Sequence, residues 1–273
     1  MRKLLWTEWL KMRRYPAFWL MLAICILSYP GINFIFLSIY QDITKKDSMA
    51  AQVTGMLLGE PFSFPEAWHT IAYFSSWFIF IPSILVIMII TNEFTYRTHR
   101  QNIIDGWSRK AFITAKALDV ILISLLLTFI YFLVALVIGN QNSPADIAGK
   151  WSQMQYAGLF ALQTTSQLSL AFLTGLLVRK AFIAMGLFLF YGVIFEPVLV
   201  GLFKYKWFKN DIGRFFPMEI SDRILTPPAF MMRFDEKAFV AAQKAVPFHI
   251  ALSIGLLLLT WALIFLIYRK RDL

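Results

Sequence analysis

Six apolar runs, at 15–41, 68–92, 120–145, 151–178, 181–203 and 245–268, are separated by polar gaps. Each is long enough to cross a bilayer, whose hydrocarbon core of about 30 Å needs roughly 20 helical residues. A helix is required there because it satisfies its own backbone N–H and C=O groups away from water. The pattern predicts an all-α membrane protein with six transmembrane helices. Composition agrees, with 59% hydrophobic residues, 15% charged residues and a mean hydropathy of +0.63. The runs leave no room for a second folded domain, so residues 1–273 are read as a single transmembrane domain.

The N-terminal MRKLLWTEWLKMRRYP is basic and precedes an apolar run, as in a signal peptide. That run is too long and lacks a small-residue cleavage site, so the segment reads as an uncleaved anchor. Lone Cys25 excludes an intramolecular disulfide and says nothing about the redox compartment.

Basic residues set the expected orientation, because short loops rich in Lys and Arg stay in the cytoplasm. They cluster before the first run (Arg2, Lys3, Lys11, Arg13, Arg14), between the second and third (Arg97, Arg100, Arg109, Lys110, Lys116), at Arg179 and Lys180, and at Arg269, Lys270 and Arg271. These four segments fall on one side of a six-span chain, which places both termini in the cytoplasm. Residues 204–244 oppose the rule, with eight Lys or Arg against five acids on the other side. Long loops obey it less strictly.

The gap NEFTYRTHRQNIIDGWSRKAFITAKALDV, from Asn92, holds a short helix signal. Thr98 and Gln101 have the spacing of a capping box, with the Thr98 hydroxyl accepting from the Gln101 N–H. A glycine just past a helix end favours a stop at Asp105 and Gly106. Ser108 is placed to cap the next helix. Tyr96, Ile103, Ile104 and Trp107 fall on one side as an apolar ridge. Two readings fit: a lipid-contacting loop with basic residues at headgroup level, or a docking element for a cytoplasmic partner.

Glu93, Thr98, Arg100, Ile103, Ile104, Ser108, Arg109 and Lys116 together resemble the first cytoplasmic loop of ABC-2 type permeases, the membrane subunits of bacterial ABC exporters. The family usually has Gly where this chain has Arg97, and often Pro around Asp105, Gly106 and Trp107. EWLKMRRYPAFW resembles the family's amphipathic elbow helix. The resemblance implies an elbow helix at 1–15, a short cytoplasmic coupling helix in a loop at 93–110, and an extracytoplasmic loop at 204–247. It implies that Glu93, Thr98, Arg100, Ile103, Ile104, Trp107 and Arg109 dock a separate ATP-binding cassette ATPase. It further implies a second permease copy or a similar chain as partner, and a bacterial inner (cytoplasmic) membrane. The chain has no G-x-x-x-x-G-K-[ST] loop, so ATP and Mg are expected on the partner ATPase and no cofactor on this chain.

Glu196, beside Pro197, is the one carboxylate well inside an apolar run. Buried charge in a membrane is costly, so it reads as part of a substrate path, as a helix-pairing group, or as a residue at the outer headgroups of a broken helix. Gln163 and Gln167, an i, i+4 pair in a run dotted with Ser and Thr, read as helix pairing or a translocation surface. His69, His99 and His249 lack metal-ligand spacing. The aromatic and basic 204–244 segment suits an interfacial helix. A net charge of +10 split between two faces argues against nucleic acid and for membrane lipids. Two rivals to a non-enzymatic permease stand: a membrane-embedded enzyme using Glu66, His69 and Glu196, or a membrane assembly protein.

Overall fold

In a computed structural model, the chain is described over residues 2–44, 49–104, 106–144, 149–207 and 209–270. Asp105 and Arg271, both named above, lie outside these residues, as do 45–48, 145–148 and 208. Among the described residues all regular secondary structure is helical. Helix α1 (Arg2–Arg13) is followed by α2 (Pro16–Thr44), which starts on a proline whose missing N–H would be unpaired in a first turn anyway. Then come α3 (Met49–Leu58), α4 (Ala67–Ser76), α5 (Phe80–Thr95), α6 (Thr98–Ile104), α7 (Arg109–Asn142) and α8 (Gln155–Val178). The fifth apolar run is α9 (Ala181–Leu189), a π-helical stretch Phe190–Phe195, α10 (Glu196–Leu202) and a second π-helical stretch Phe203–Trp207. A 3₁₀ turn Ile212–Phe215, α11 (Pro217–Asp222) and α12 (Glu236–Lys270) complete the chain.

Five helical stretches, Pro16–Thr44, Arg109–Asn142, Gln155–Val178, Ala181–Trp207 and Glu236–Lys270, are long and apolar enough to cross a membrane. The second apolar run differs from the expected single rod. It is broken between α4 and α5, which meet at a bend of 49°. The π-helical register ahead of Pro197 has a local cause: the proline cannot donate to the carbonyl four residues back and its ring crowds it. The loop assigned to 204–247 is shorter than expected, because the fifth span runs on to Trp207 and α12 begins at Glu236.

Helix α8 is the most enclosed of the spans, with 56% of its apolar window buried, against 17% for α12. That enclosure is why α8 tolerates Gln, Ser and Thr: they face neighbouring helices and not lipid. The Ser124 and Thr165 hydroxyls pair at 2.7 Å, Ser166 and Ser253 at 3.0 Å, and the Trp261 indole N–H donates to Ser169 Oγ at 3.0 Å. Gly175 brings α8 against α5, where an added Cβ would lie 2.5 Å from the Ile90 side chain. At the core, Tyr131 stacks on Phe160 and donates to the Trp68 carbonyl at 2.8 Å.

Contacts sort the polar segments to two ends. At one end Lys11 meets Glu93, the Arg109 guanidinium donates to the Arg269 carbonyl, and Arg179 lies over the Phe94 ring. At the other, Ser63 meets Ser143, the Trp68 indole donates to the Lys150 carbonyl, and His69 Nε2 donates to the Thr226 carbonyl.

Candidate functional site

At the basic end, α6 sits on a buried ionic lock. Glu93, 3% exposed at the end of α5, accepts from Lys116 Nζ at 2.8 Å and Lys11 Nζ at 3.0 Å. Lys116 is 1% exposed and also lies 3.8 Å from Asp119. A buried charge needs such partners, since stranding one costs several kcal/mol. The Thr98 hydroxyl donates to the other Glu93 oxygen, and His99 Nδ1 donates to the Glu93 carbonyl at 2.8 Å. The lock therefore ties α1, α5, α6 and α7 together at one carboxylate.

The expected capping box does not form. Helix α6 starts at Thr98 itself, so the Gln101 N–H reaches back to the Arg97 carbonyl at 3.4 Å, while the Thr98 hydroxyl donates to Glu93. The expected stop does form: Gly106 has φ +95°, its N–H bonds to the Ile103 carbonyl, and the Trp107 N–H bonds to that of Asn102. These are the two bonds of a Schellman ending. Ser108 caps α7 by accepting from the Ala111 N–H at 3.1 Å.

The apolar ridge splits. The Schellman turn sends Trp107 back onto the core, where its ring lies 6.0 Å from Lys11 Nζ, and Ile103 is half-buried. Ile104, 78% exposed, and Tyr96, 66% exposed, face away beside exposed Arg100. Arg109 is half-buried against the end of α12.

At the opposite end lies a cavity of about 870 Å³, framed by the α4–α5 break, α8, α9, the 209–235 segment and the start of α12. Gln163 and Gln167 line it and donate to Asp222 Oδ1 at 2.8 and 2.5 Å. Asp222 is surrounded by protein mass, and the surface it exposes opens on the cavity. Burial pushes its carboxyl up to about 7, against the lowering effect of the two amides. At the rim, Arg223 grips Asp211 at 2.5 and 2.8 Å and Glu219 at 2.6 Å, and its hydrogen bonds hold the Asp211 carboxyl below the ordinary value.

Glu196 is not on the cavity wall. It is 1% exposed, and its Oε1 accepts from the Glu219 N–H at 2.7 Å, which fastens α11 to the fifth span. The three residues of the enzyme reading have separate tasks. Glu66 accepts from Gln153 Nε2 at 2.7 Å, and His69 stacks on Tyr156 with ring centroids 4.0 Å apart. No hydrogen bond among the described residues joins them to Glu196.

Sequence reasoning missed Asp222, Arg223 and Asp211. Their segment carries mixed charge like any solvated loop, and only the fold turns it inward. Among the described residues no group of His, Cys, Asp and Glu has metal-binding geometry. The sequence profile of a family described as "Protein of unknown function (DUF2705)" matches residues 43–273. No curated protein matches the chain.

Proposed function

The chain belongs to the DUF2705 family, whose description assigns no activity, and from its geometry we propose that it is the membrane-spanning permease subunit of an ATP-driven ABC exporter. It spans the membrane six times, with the α4–α5 pair as one broken span and both termini in the cytoplasm. It pairs with a second copy or a similar chain and receives a separate ATPase on the 93–110 loop. The observation that carries this reading is the lock at Glu93. It makes α6 a rigid extension of the bundle, while Ile104, Tyr96 and Arg100 are left exposed.

A conformational switch from 1:99 to 99:1 takes about 5.5 kcal/mol of differential binding. A short helix fastened to several neighbouring helices can pass such a load to the spans. A loop that merely lies on lipid has no need of three groups around one buried carboxylate. The bend between α4 and α5 also fits a transporter, since Ser76, Trp77 and Phe80 around it line the cavity.

The test is recovery of an ATP-binding cassette protein with the tagged chain, purified in detergent from its own cells. Ile104→Asp with Arg100→Glu changes only exposed side chains and is expected to cut that recovery about tenfold, a loss of about 1.4 kcal/mol. Thermal stability should not change. Recovery of no such ATPase with the wild-type chain, or equal recovery with the variant, would sink the proposal.

A further inference from the structure

The cavity at the α4–α5 break has a polar end that the docking loop does not use. Its volume of about 870 Å³ falls within the range of small-molecule sites. Tyr73, Trp77, Phe80 and Phe188 give it an aromatic wall. Asp222 lies on the same lining, and both neighbouring amides donate to its Oδ1. Among the described residues Oδ2 takes no hydrogen bond.

Two further atoms point to a ligand. Gln163, 2% exposed, has spent its N–H on Asp222, and its buried Oε1 has no partner. His249, also 2% exposed and on the lining, has a buried Nδ1 without a partner. Buried polar atoms in native proteins are nearly always paired, so unpaired ones on a cavity wall mark where a bound molecule would complete them.

The remaining charges decide the sign of that molecule. Arg223 is held by Asp211 and Glu219, which take one N–H from each of its three nitrogens. Lys204 lies over the Tyr205 ring, and Arg214 over Phe215 and Phe248. Arg214 Nε, on the same lining, is a buried donor without a partner, but the unpaired atoms of the amide–carboxylate cluster itself are Asp222 Oδ2 and Gln163 Oε1, two acceptors. A ligand anion would be repelled there; an ammonium group has three donors to give.

We propose that the cavity binds an amphipathic amine, with its ammonium group against Asp222 Oδ2 and Gln163 Oε1 and its apolar body along Tyr73, Trp77, Phe80 and Phe188. Aromatic faces add a cation–π attraction to the ion pair. The site does not depend on the permease reading, because binding is a property of the chain alone and is read without an ATPase.

The experiment uses the full chain in detergent micelles and an alkylamine bearing a diazirine in its chain, with its N-acetylated counterpart as the uncharged probe. After illumination, labelled peptides are quantified by mass spectrometry. Peptides covering 73–80 and 188–193 should be labelled about tenfold more by the amine than by the acetylated probe, the effect of about 1.4 kcal/mol of added binding. The exposed α2 face, including Leu27, should take both probes equally and serves as the standard for micelle partitioning. Asp222→Asn should abolish the preference. Equal labelling of the cavity peptides by both probes on the wild-type chain overturns the proposal without need of any variant. An undiminished preference in Asp222→Asn overturns it as well.

Discussion

Arg97 holds φ +53°, a left-handed conformation, where the resembling permeases usually carry Gly. For a residue with a Cβ that conformation costs about 1–2 kcal/mol. Gly would relieve it and lose about 0.4–1 kcal/mol through the greater freedom of the unfolded chain. Arg97→Gly is therefore expected to stabilise the protein by about 0.5 kcal/mol, seen as a small rise in thermal midpoint; a fall would show that the side chain contributes more than its strain. Asp222 gives a second expectation. Its carboxyl titrates near 4 in an unfolded chain and about 7 in the fold. Between those values the native state holds a proton that the unfolded state has released, so this group lowers stability as pH rises from about 4 to about 7. Asp222→Asn should flatten that trend in thermal midpoints taken across the range, and an unchanged trend would assign it to another group.

At the scale of elements, α5 and α8 depend on Gly175, where any side chain meets Ile90 and the α5 backbone at Ile87. Overpacking of this kind costs about 1–3 kcal/mol. Gly175→Val should accordingly broaden the monodisperse peak in size-exclusion chromatography, whereas Gly186→Ala, with nothing near its Cβ, should not. Helix positions were legible in the sequence because lipid imposes length and apolarity on each run independently of the others. The break at 77–79 was not: Trp77, Phe78 and Ile79 are as apolar as their neighbours, and the bend follows from packing. The ending of α6 was legible, because Gly106 acts through its own backbone. Its start at Thr98 was legible too, but not the partner of the Thr98 hydroxyl, because Glu93 belongs to the preceding helix. Likewise Gln163 and Gln167 stood out as a pair, while the carboxylate they hold lies more than fifty residues away in a segment that looks solvated.

Across the whole molecule, charge and fold agree on two ends. The basic residues of α1, of the 97–110 segment, of the α8–α9 turn and of the end of α12 gather at the end that carries the Glu93 lock. The cavity and the 209–235 segment occupy the other. From the cost of moving a dense basic cluster across a bilayer we propose an orientation with the lock in the cytoplasm and the cavity outside. Within the mixed-charge segment at the cavity end, Asp211 and Glu219 offset Arg223. Single cysteines can read the orientation directly. Phe234 is 91% exposed at the cavity end and Ile104 78% exposed at the lock end, while native Cys25 is fully buried and can stay in place. In intact cells, Phe234→Cys is expected to react with a membrane-impermeant maleimide at once, and Ile104→Cys only after the membrane is opened. The reverse order would invert the molecule: it would put the basic end outside, against the charge rule, and leave α6 with no access to a cytoplasmic ATPase. Reaction of both from outside would mean that one of the three stretches between them, Arg109–Asn142, Gln155–Val178 or Ala181–Trp207, does not cross, since the number of crossings between residues 104 and 234 would then no longer be odd.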